Sequence, residues 1–186
     1  MQRKIYQSLD LYIKPKEINF SIKLKRFFWY LFFYPIVESY IPGTFWRKII
    51  LSLFGSKIGN RCVIKPKLRV KNPWKLSIGD NCWLGESLWI DNIDEVIIEK
   101  NVCLSQGVYL CTGNHNYKKK GFDLIQNSII IKEESWICAK SIIGPGSEIM
   151  KGTVITSGST FSGKSLEGSI YTGCPAIFVR KRHSIE

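Results

Sequence analysis

The feature that most constrains this chain is a period of six. Aliphatic residues recur at Ile58, Ile64 and Val70. The register then slips by two, resumes at Ile78, Leu84, Ile90 and Val96, slips again, and continues through Ile98, Leu104 and Leu110. After a polar stretch it returns without a break as Ile131, Ile137, Ile143, Ile149, Ile155 and Phe161. An amphipathic helix would repeat every 3.6 residues and a half-buried strand every two. The residue after the aliphatic is often small (Gly59, Gly79, Gly85, Ser105, Cys138, Gly144), and Gly59-Asn60, Gly79-Asp80 and Gly144-Pro145 read as corners. A triangular solenoid has this geometry, with six residues per side and about 18 per coil. One aliphatic per side points inward and stacks on its counterpart in the next coil, roughly 4.7–4.9 Å away. Crowded corners favour small residues. The expected fold is an all-β solenoid, a parallel β-helix of hexapeptide repeats, preceded by an α-helical N-terminal segment.

The period divides the chain into an aromatic and helical segment at 1–57, the repeat region at 58–162 with a loop excursion at 113–128, and a C-terminal tail at 163–186. Within the first segment, Trp46, Ile49, Ile50, Leu53 and Phe54 fall on one helical face and Gly55 suits a helix stop. This helix is expected to cap the open end of the solenoid, whose edge needs cover. Residues 27–37 read FFWYLFFYPIV, an apolar run of eleven residues interrupted by Pro35. A bilayer-spanning helix needs roughly 20. With Lys23, Lys25 and Arg26 before it and Arg47 and Lys48 after it, the run reads as a buried packing helix, the preferred reading, or as an interfacial segment. Peripheral membrane association therefore stays open. Long excursions from a repeat usually carry function, which draws attention to the loop.

Disorder is excluded by a hydrophobic content of 45%. The net charge of +12 points to an anionic partner without choosing between nucleic acid, membrane and phosphate-bearing small molecules. Nucleic-acid recognition would call for a basic helix or an aromatic-lined sheet, and neither is evident, so no nucleic-acid partner is expected. The six cysteines form no CxxC pair and no secretory signal is evident, so they read as reduced, mostly buried apolar residues of a cytoplasmic protein.

There are two histidines. His183 lies in the terminal RKRHSIE and is expected to play no part. His115, in CTGNHNY, sits where a coil gives way to the loop, so a rigid coil would hold it while the loop shapes a site. A near-neutral His is a natural general base for a hydroxyl. With one usable His, no metal site is expected. No P-loop, GxGxxG or Ser-His-Asp pattern is present.

The stretches FWRKIILSLFGSKIGNRCVIKP, PWKLSIGDNCWLGE, LSQGVYLCTGNHNY, ESWICAKSIIGPG and GCPAIFVRKR span most of residues 45–182. Together they resemble the hexapeptide-repeat acyltransferases, most of all the exopolysaccharide group of colanic acid biosynthesis acetyltransferases. The galactoside and maltose acetyltransferases are similar at a greater distance. The resemblance implies a left-handed β-helix, a homotrimer with active sites between subunits, and direct acetyl transfer from acetyl-CoA to a hydroxyl of a sugar or lipid-linked glycan. It implies His115 as the base. Trp136, Ala139, Ser157, Ser162, Lys164 and Arg180 would lie along the coenzyme, and Asp91, Asn92, Asn114 and Asn116 near the acceptor. An amino-sugar N-acyltransferase and a non-catalytic scaffold or glycan-binding β-helix remain alternatives. The location implied is cytoplasmic, extending to the inner face of the membrane. The chain departs from the family pattern at His115-Asn116, where an acid often follows the His, and at Cys138 and Met150, where glycines are usual. Without that acid, His115 needs another partner, such as a backbone carbonyl.

Overall fold

Each hexad forms one very short strand, and successive strands turn onto three faces. The computed structural model describes residues 6–13 and 19–183. The first face carries Lys57–Ile58, Leu76–Ile78, Val96–Ile98, Ile129–Ile131 and Glu148–Ile149, all parallel. The second carries Val63–Ile64, Trp83–Leu84, Cys103–Leu104, Trp136–Ile137 and Val154–Ile155. It is extended by a hairpin of Ser169–Gly173 and Ala176–Lys181. The third carries Arg69–Val70, Trp89–Asp91, Tyr109–Cys111, Ile142–Ile143 and Thr160–Phe161. The expected parallel solenoid with a helical N-terminal segment is the fold observed, and it is consistent with left-handed winding.

Register puts the sixfold aliphatics into three columns. Ile58, Ile78, Ile98, Ile131 and Ile149 align on the first face. Ile64, Leu84, Leu104, Ile137 and Ile155 align on the second, and Val70, Ile90, Leu110, Ile143 and Phe161 on the third. These columns are the core. The slips of two are an enlarged third corner. Ile58 aligns with Ile78, a step of 20 residues, whereas Ile131 aligns with Ile149, a step of 18. The longer corner closes on a side-chain ladder. Asn72 donates its backbone N–H to Asn92 Oδ1 at 2.9 Å and its amide to Asn92 O at 2.7 Å. Asn92 Nδ2 donates to the carbonyls of Asn72 and Lys75, at 2.8 and 3.1 Å. Thr112 adds a rung, its hydroxyl donating to Asp91 O and accepting from the Asp94 N–H. Buried corner backbone is thereby satisfied.

Coil spacing explains the small residues. A Cβ on Gly79 would lie 2.6 Å from Lys100 N, and one on Gly85 2.5 Å from Gln106 N, both backbone atoms of the next coil. The cysteines are all free. Cys62 and Cys82 are buried and point their thiols at carbonyls of the following coil, Gly79 at 3.1 Å and Glu99 at 2.9 Å. Burial pushes the Cys82 thiol up to about 11, so it stays protonated at neutral pH. Cys138 is buried as well, but Cys103 and Cys111 are only half-buried and Cys174 is exposed, fewer buried than expected.

The N-terminal segment comprises α1 (Phe20–Phe28), a widened π-helical turn (Trp29–Phe33), α2 (Tyr34–Glu38) and α3 (Thr44–Leu53). Pro35 lies at the start of α2, directly after the widened turn. It has no N–H to donate and would crowd the carbonyl one turn back, and a π-turn is a common way to absorb that. Trp29 is buried and donates its indole N–H to Val70 O at 3.0 Å, while Tyr30 donates to Lys71 O and Arg26 to Asn72 Oδ1. α1 thus leans on the first coil at its third corner. The preferred reading of residues 27–37 as a buried packing helix holds for one face only. Trp29 and Val37 are buried, whereas Phe27, Phe28, Leu31 and Phe32 are exposed.

α3 covers the first coil as expected, with Thr44 Oγ1 accepting the Ile64 N–H at 3.0 Å and Lys48 donating to Gly59 O at 2.7 Å. Its inward face differs from the expected one. Trp46, Ile50 and Phe54 do pack on the core, but Ile49 and Leu53 face out and Arg47 and Leu51 are buried. Arg47 can be buried because its guanidinium donates to the carbonyls of Val37, Gly43 and Ser39, at 3.1, 2.8 and 2.7 Å.

Gly85→Ala should destabilise the solenoid by about 2 kcal/mol or more, because the added Cβ meets backbone that cannot rotate away. A lower midpoint in thermal melting followed by circular dichroism reads this; an unchanged midpoint would mean the coils can spread.

Candidate active site

The chain leaves the solenoid at the third corner of its third coil. Gly113–His115 pairs antiparallel with Leu124–Gln126, and the Asn127 N–H returns to Thr112 O at 3.0 Å. Gly113 lets this hairpin pass close to the preceding coil; a Cβ there would sit 2.6 Å from Ile93 Cδ1 and push that side chain aside. His115 ends the first strand of the hairpin.

Three groups hold the His115 ring. Its Nδ1 lies 2.7 Å from the Phe122 carbonyl oxygen. An oxygen that can only accept fixes the proton on Nδ1 and leaves Nε2 with a free lone pair. The Phe122 ring stacks on the imidazole at 4.4 Å and 4°, and Tyr12 packs against it at 5.9 Å and 57°. Phe122 has φ +52°, a left-handed conformation uncommon for an aromatic residue. One residue therefore supplies both the ring under the imidazole and the carbonyl that orients it. Tyr12 belongs to residues 6–13, which lie across the excursion with the Ser8 N–H on Lys120 O at 2.9 Å.

The asparagines beside His115 shape the loop. Asn114 Oδ1 accepts the His115 N–H at 2.8 Å, and Asn116 Oδ1 accepts the Lys118 N–H at 3.1 Å. Asp91 sits one coil below, paired in register with Cys111, and is held by Lys71 at 2.7 Å and by the Tyr109 hydroxyl at 3.1 Å. Burial, followed by the neighbouring Cys111 and Asp91, raises the Tyr109 pKa, so its hydroxyl stays a donor. Asn92, also predicted near the acceptor, is fully buried with its amide engaged in the corner ladder.

The predicted coenzyme residues lie elsewhere on the chain. Ala139 and Ser157 occupy the second corner in successive coils, joined by the Gly158 N–H to Ala139 O at 2.9 Å. Trp136 stands on the second face, 45% exposed, with its indole N–H on Ser105 Oγ at 2.9 Å. Ser162 and Lys164 are exposed at the third corner of the last full coil, and Lys164 pairs with Glu148 at 2.8 Å. Arg180 lies on the exposed C-terminal hairpin, opposite Ile170. His115, Asp91, Asn114 and Asn116 thus gather at the third corner, while Trp136, Ala139 and Ser157 gather at the second. One chain does not bring the two groups into a single pocket, and the grooves lined by Lys23 and Phe27, by Lys151 and Arg182, and by Asp80 and Lys100 do not include His115. Among the described residues no cluster of three His, Cys, Asp or Glu could hold a metal ion. Phe122 and Tyr12 were not among the predicted residues. The missing acid after His115 signalled that another orienting group was needed, but not which.

No family model matches the chain. Curated proteins do, among them the "Putative colanic acid biosynthesis acetyltransferase WcaF" of Escherichia coli (strain K12) and of Shigella flexneri. Each of these two is 36% identical over 142 residues, covering 76% of this chain and 78% of the relative. The chain belongs to the hexapeptide-repeat acetyltransferases. Solved structures share the fold of this acyltransferase. The hexapeptide-repeat acetyltransferase VCA0836 of Vibrio cholerae superposes with a TM-score of 0.79 at 16% identity, covering 88% of this chain and 94% of that one. A galactoside acetyltransferase in complex with coenzyme A gives 0.78 at 21% identity, covering 90% and 86%. A maltose O-acetyltransferase of Clostridium difficile 630 gives 0.71 at 20% identity, covering 91% and 88%.

Asn92→Ala should cost about 2 kcal/mol, because it leaves the buried Asn72 N–H without an acceptor. The melting temperature should fall. Unchanged stability together with a raised KM for acceptor would instead make Asn92 an acceptor ligand.

Proposed function

We propose that this enzyme transfers an acetyl group from acetyl-CoA to a hydroxyl of a sugar or lipid-linked oligosaccharide during exopolysaccharide or O-antigen assembly. The observation that carries the reading is the His115 ring, pinned through Nδ1 to the Phe122 carbonyl so that Nε2 is left as a proton acceptor. The relatives support the rest. WcaF is described as acting in colanic acid biosynthesis, VCA0836 has been solved with acetyl coenzyme A, and the galactoside acetyltransferase with coenzyme A.

In this reading Nε2 takes the acceptor hydroxyl proton as that oxygen attacks the thioester carbonyl. The tetrahedral intermediate, stabilised by a backbone N–H, collapses and expels the coenzyme thiolate, which recovers the proton from the imidazolium. No bond to the enzyme forms, and positioning both substrates supplies much of the rate. Asp91, Asn114 and Asn116 contact the acceptor, and Asn92 braces the corner beneath them. Trp136, Ala139, Ser157, Ser162, Lys164 and Arg180 line the coenzyme path. Because the two groups occupy different corners, the site is completed between copies in a homotrimer, the third corner of one subunit facing the second corner of the next. A lipid-linked acceptor places the enzyme in the cytoplasm at the inner face of the membrane.

His115→Ala should lower acetyl transfer by at least about 10²-fold, in line with general-base contributions. Free-thiol release from acetyl-CoA, with nucleotide sugars and oligosaccharides as candidate acceptors, measures this; coenzyme binding by calorimetry should persist. Full activity would remove His115 as the base, and failure of the unaltered protein to bind coenzyme A would favour a scaffold. Phe122→Gly keeps the left-handed turn and removes the stacked ring. It should lower kcat by about tenfold with coenzyme binding unchanged, as expected for a misplaced base.

A further inference from the structure

The net charge of the chain is concentrated at one end. Residues 20–75, the helical cap and first coil, hold twelve Lys and Arg against a single acid, Glu38, a net +11 of the total +12. The same end carries large apolar side chains facing outward. On α1 and the turn after it, Phe20, Leu24, Phe27 and Leu31 follow one another at i, i+4, i+7 and i+11, the spacing of one helical face. All are exposed, Phe20 at 76%. On α3, Phe45, Ile49 and Leu53 repeat every fourth residue and are also exposed, Phe45 at 77%. Tyr40 and Ile41, between the helices, are exposed too. Apolar clusters of this extent on a surface mark an interaction site.

We propose that this cap is a docking face for an anionic lipid surface, with α1 lying in the plane of the interface. It deepens the proposed location at the membrane and does not depend on the transfer chemistry. Among the described residues no helix is long and apolar enough to cross a bilayer. A helix with one apolar face and flanking cations lies within the headgroup boundary instead. α1 and the turn after it are fixed to the first coil through Arg26, Trp29 and Tyr30, so the exposed stripe is presented rigidly and little ordering is needed on binding. An open groove of about 480 Å³ beside the stripe is lined by Lys23, Arg26, Phe27, Tyr30 and Leu31. Two cations beside a mostly apolar lining match a lipid phosphate with the upper part of its acyl chain. Basic residues near a bilayer are drawn to anionic headgroups in this way. The charge favours anionic lipid over a second copy of the chain, whose matching end would carry the same positive excess.

Co-sedimentation tests this, with vesicles of phosphatidylcholine alone and of phosphatidylcholine containing about 30% phosphatidylglycerol. The full chain should bind the anionic vesicles at least about tenfold more tightly, less so in high salt. The double variant Phe27→Glu/Leu31→Glu should lose that binding while its circular dichroism, its oligomeric mass and its acetyl transfer to a soluble acceptor stay unchanged. A second variant, Phe45→Ser/Leu53→Ser, probes the α3 stripe and should weaken binding in the same direction. Equal binding to both vesicle types, or equal binding by wild type and both variants, would overturn the proposal. A change of oligomeric mass in either variant would also overturn it, by assigning the stripe to contact between copies. Vesicle binding uses no acetyl-CoA, so its failure leaves the transfer reading standing, and loss of transfer leaves the docking face standing.

Discussion

Everything in this molecule depends on one coil resting on the next. The strands of the first two coils are only two or three residues long, and an interior one such as Trp83–Leu84 is stabilised by hydrogen bonds to the coils on either side. No strand could hold itself, and each inward aliphatic is buried only because its counterparts above and below are in register. The glycines that follow those aliphatics allow coil backbones to approach at strand spacing, so the steric limit at Gly79 and Gly85 and the alignment of the columns are two views of one constraint. A stack of this kind has two ends where the constraint is unmet. α3 covers the first coil, and the hairpin of Ser169–Gly173 and Ala176–Lys181 extends beyond the last strand of the second face.

Rigid coils leave the corners as the places where chemistry can vary. At the third corner the early coils are two residues longer, and the Asn72–Asn92–Thr112 ladder closes the extra backbone. The rung at Thr112 is also the point from which the excursion departs, so the hairpin bearing His115 begins on fixed backbone. The loop itself gains order from its own contacts: Phe122 turns into a left-handed conformation and meets the imidazole with ring and carbonyl at once. A general base needs a defined tautomer more than it needs a neighbouring carboxylate, and a carbonyl that can only accept supplies one. The asparagine at position 116, in place of an acid, is compatible with that arrangement.

The sixfold period was legible because each side of the triangle sends one large side chain inward, leaving a mark every six residues within each unbroken run between Ile58 and Phe161. The slips of two were legible as numbers, but their content was not, since nothing in Asn72 or Asn92 alone says that two amides twenty residues apart share hydrogen bonds. Asn92, like Asp91, was grouped with the acceptor residues on the family resemblance. His115 stood out because only one other histidine is present; Phe122 and Tyr12 did not, because their approach depends on the course of a loop and of a distant segment. The inward face of α3 was misjudged for a related reason. Counting apolar residues placed Ile49 and Leu53 inside, whereas Arg47 takes the inner position by binding three carbonyls, one of α2 and two of the connection after it. Side-chain hydrophobicity cannot reveal a buried cation whose partners are backbone.

That exchange has a consequence for the whole enzyme. Because Arg47 and Leu51 turn inward, Phe45, Ile49 and Leu53 are left on the outside of the cap, at the end where the positive charge is concentrated. The two ends of the solenoid therefore differ in kind. The later coils carry the residues proposed for the coenzyme, with charges largely balanced by pairs such as Lys151–Glu133 and Lys164–Glu148. The first coil and its helices carry the unbalanced charge and the exposed aromatics. His115 leaves the third coil, about two coil spacings or roughly 10 Å along the axis from the first. A cap resting on lipid would hold His115, the proposed base, at a short, fixed height above the headgroups, on the side where the proposed lipid-linked acceptor would be presented. The rigidity imposed by coil stacking would set that height, so the constraint that forms the core would also position the site against the surface that presents its acceptor.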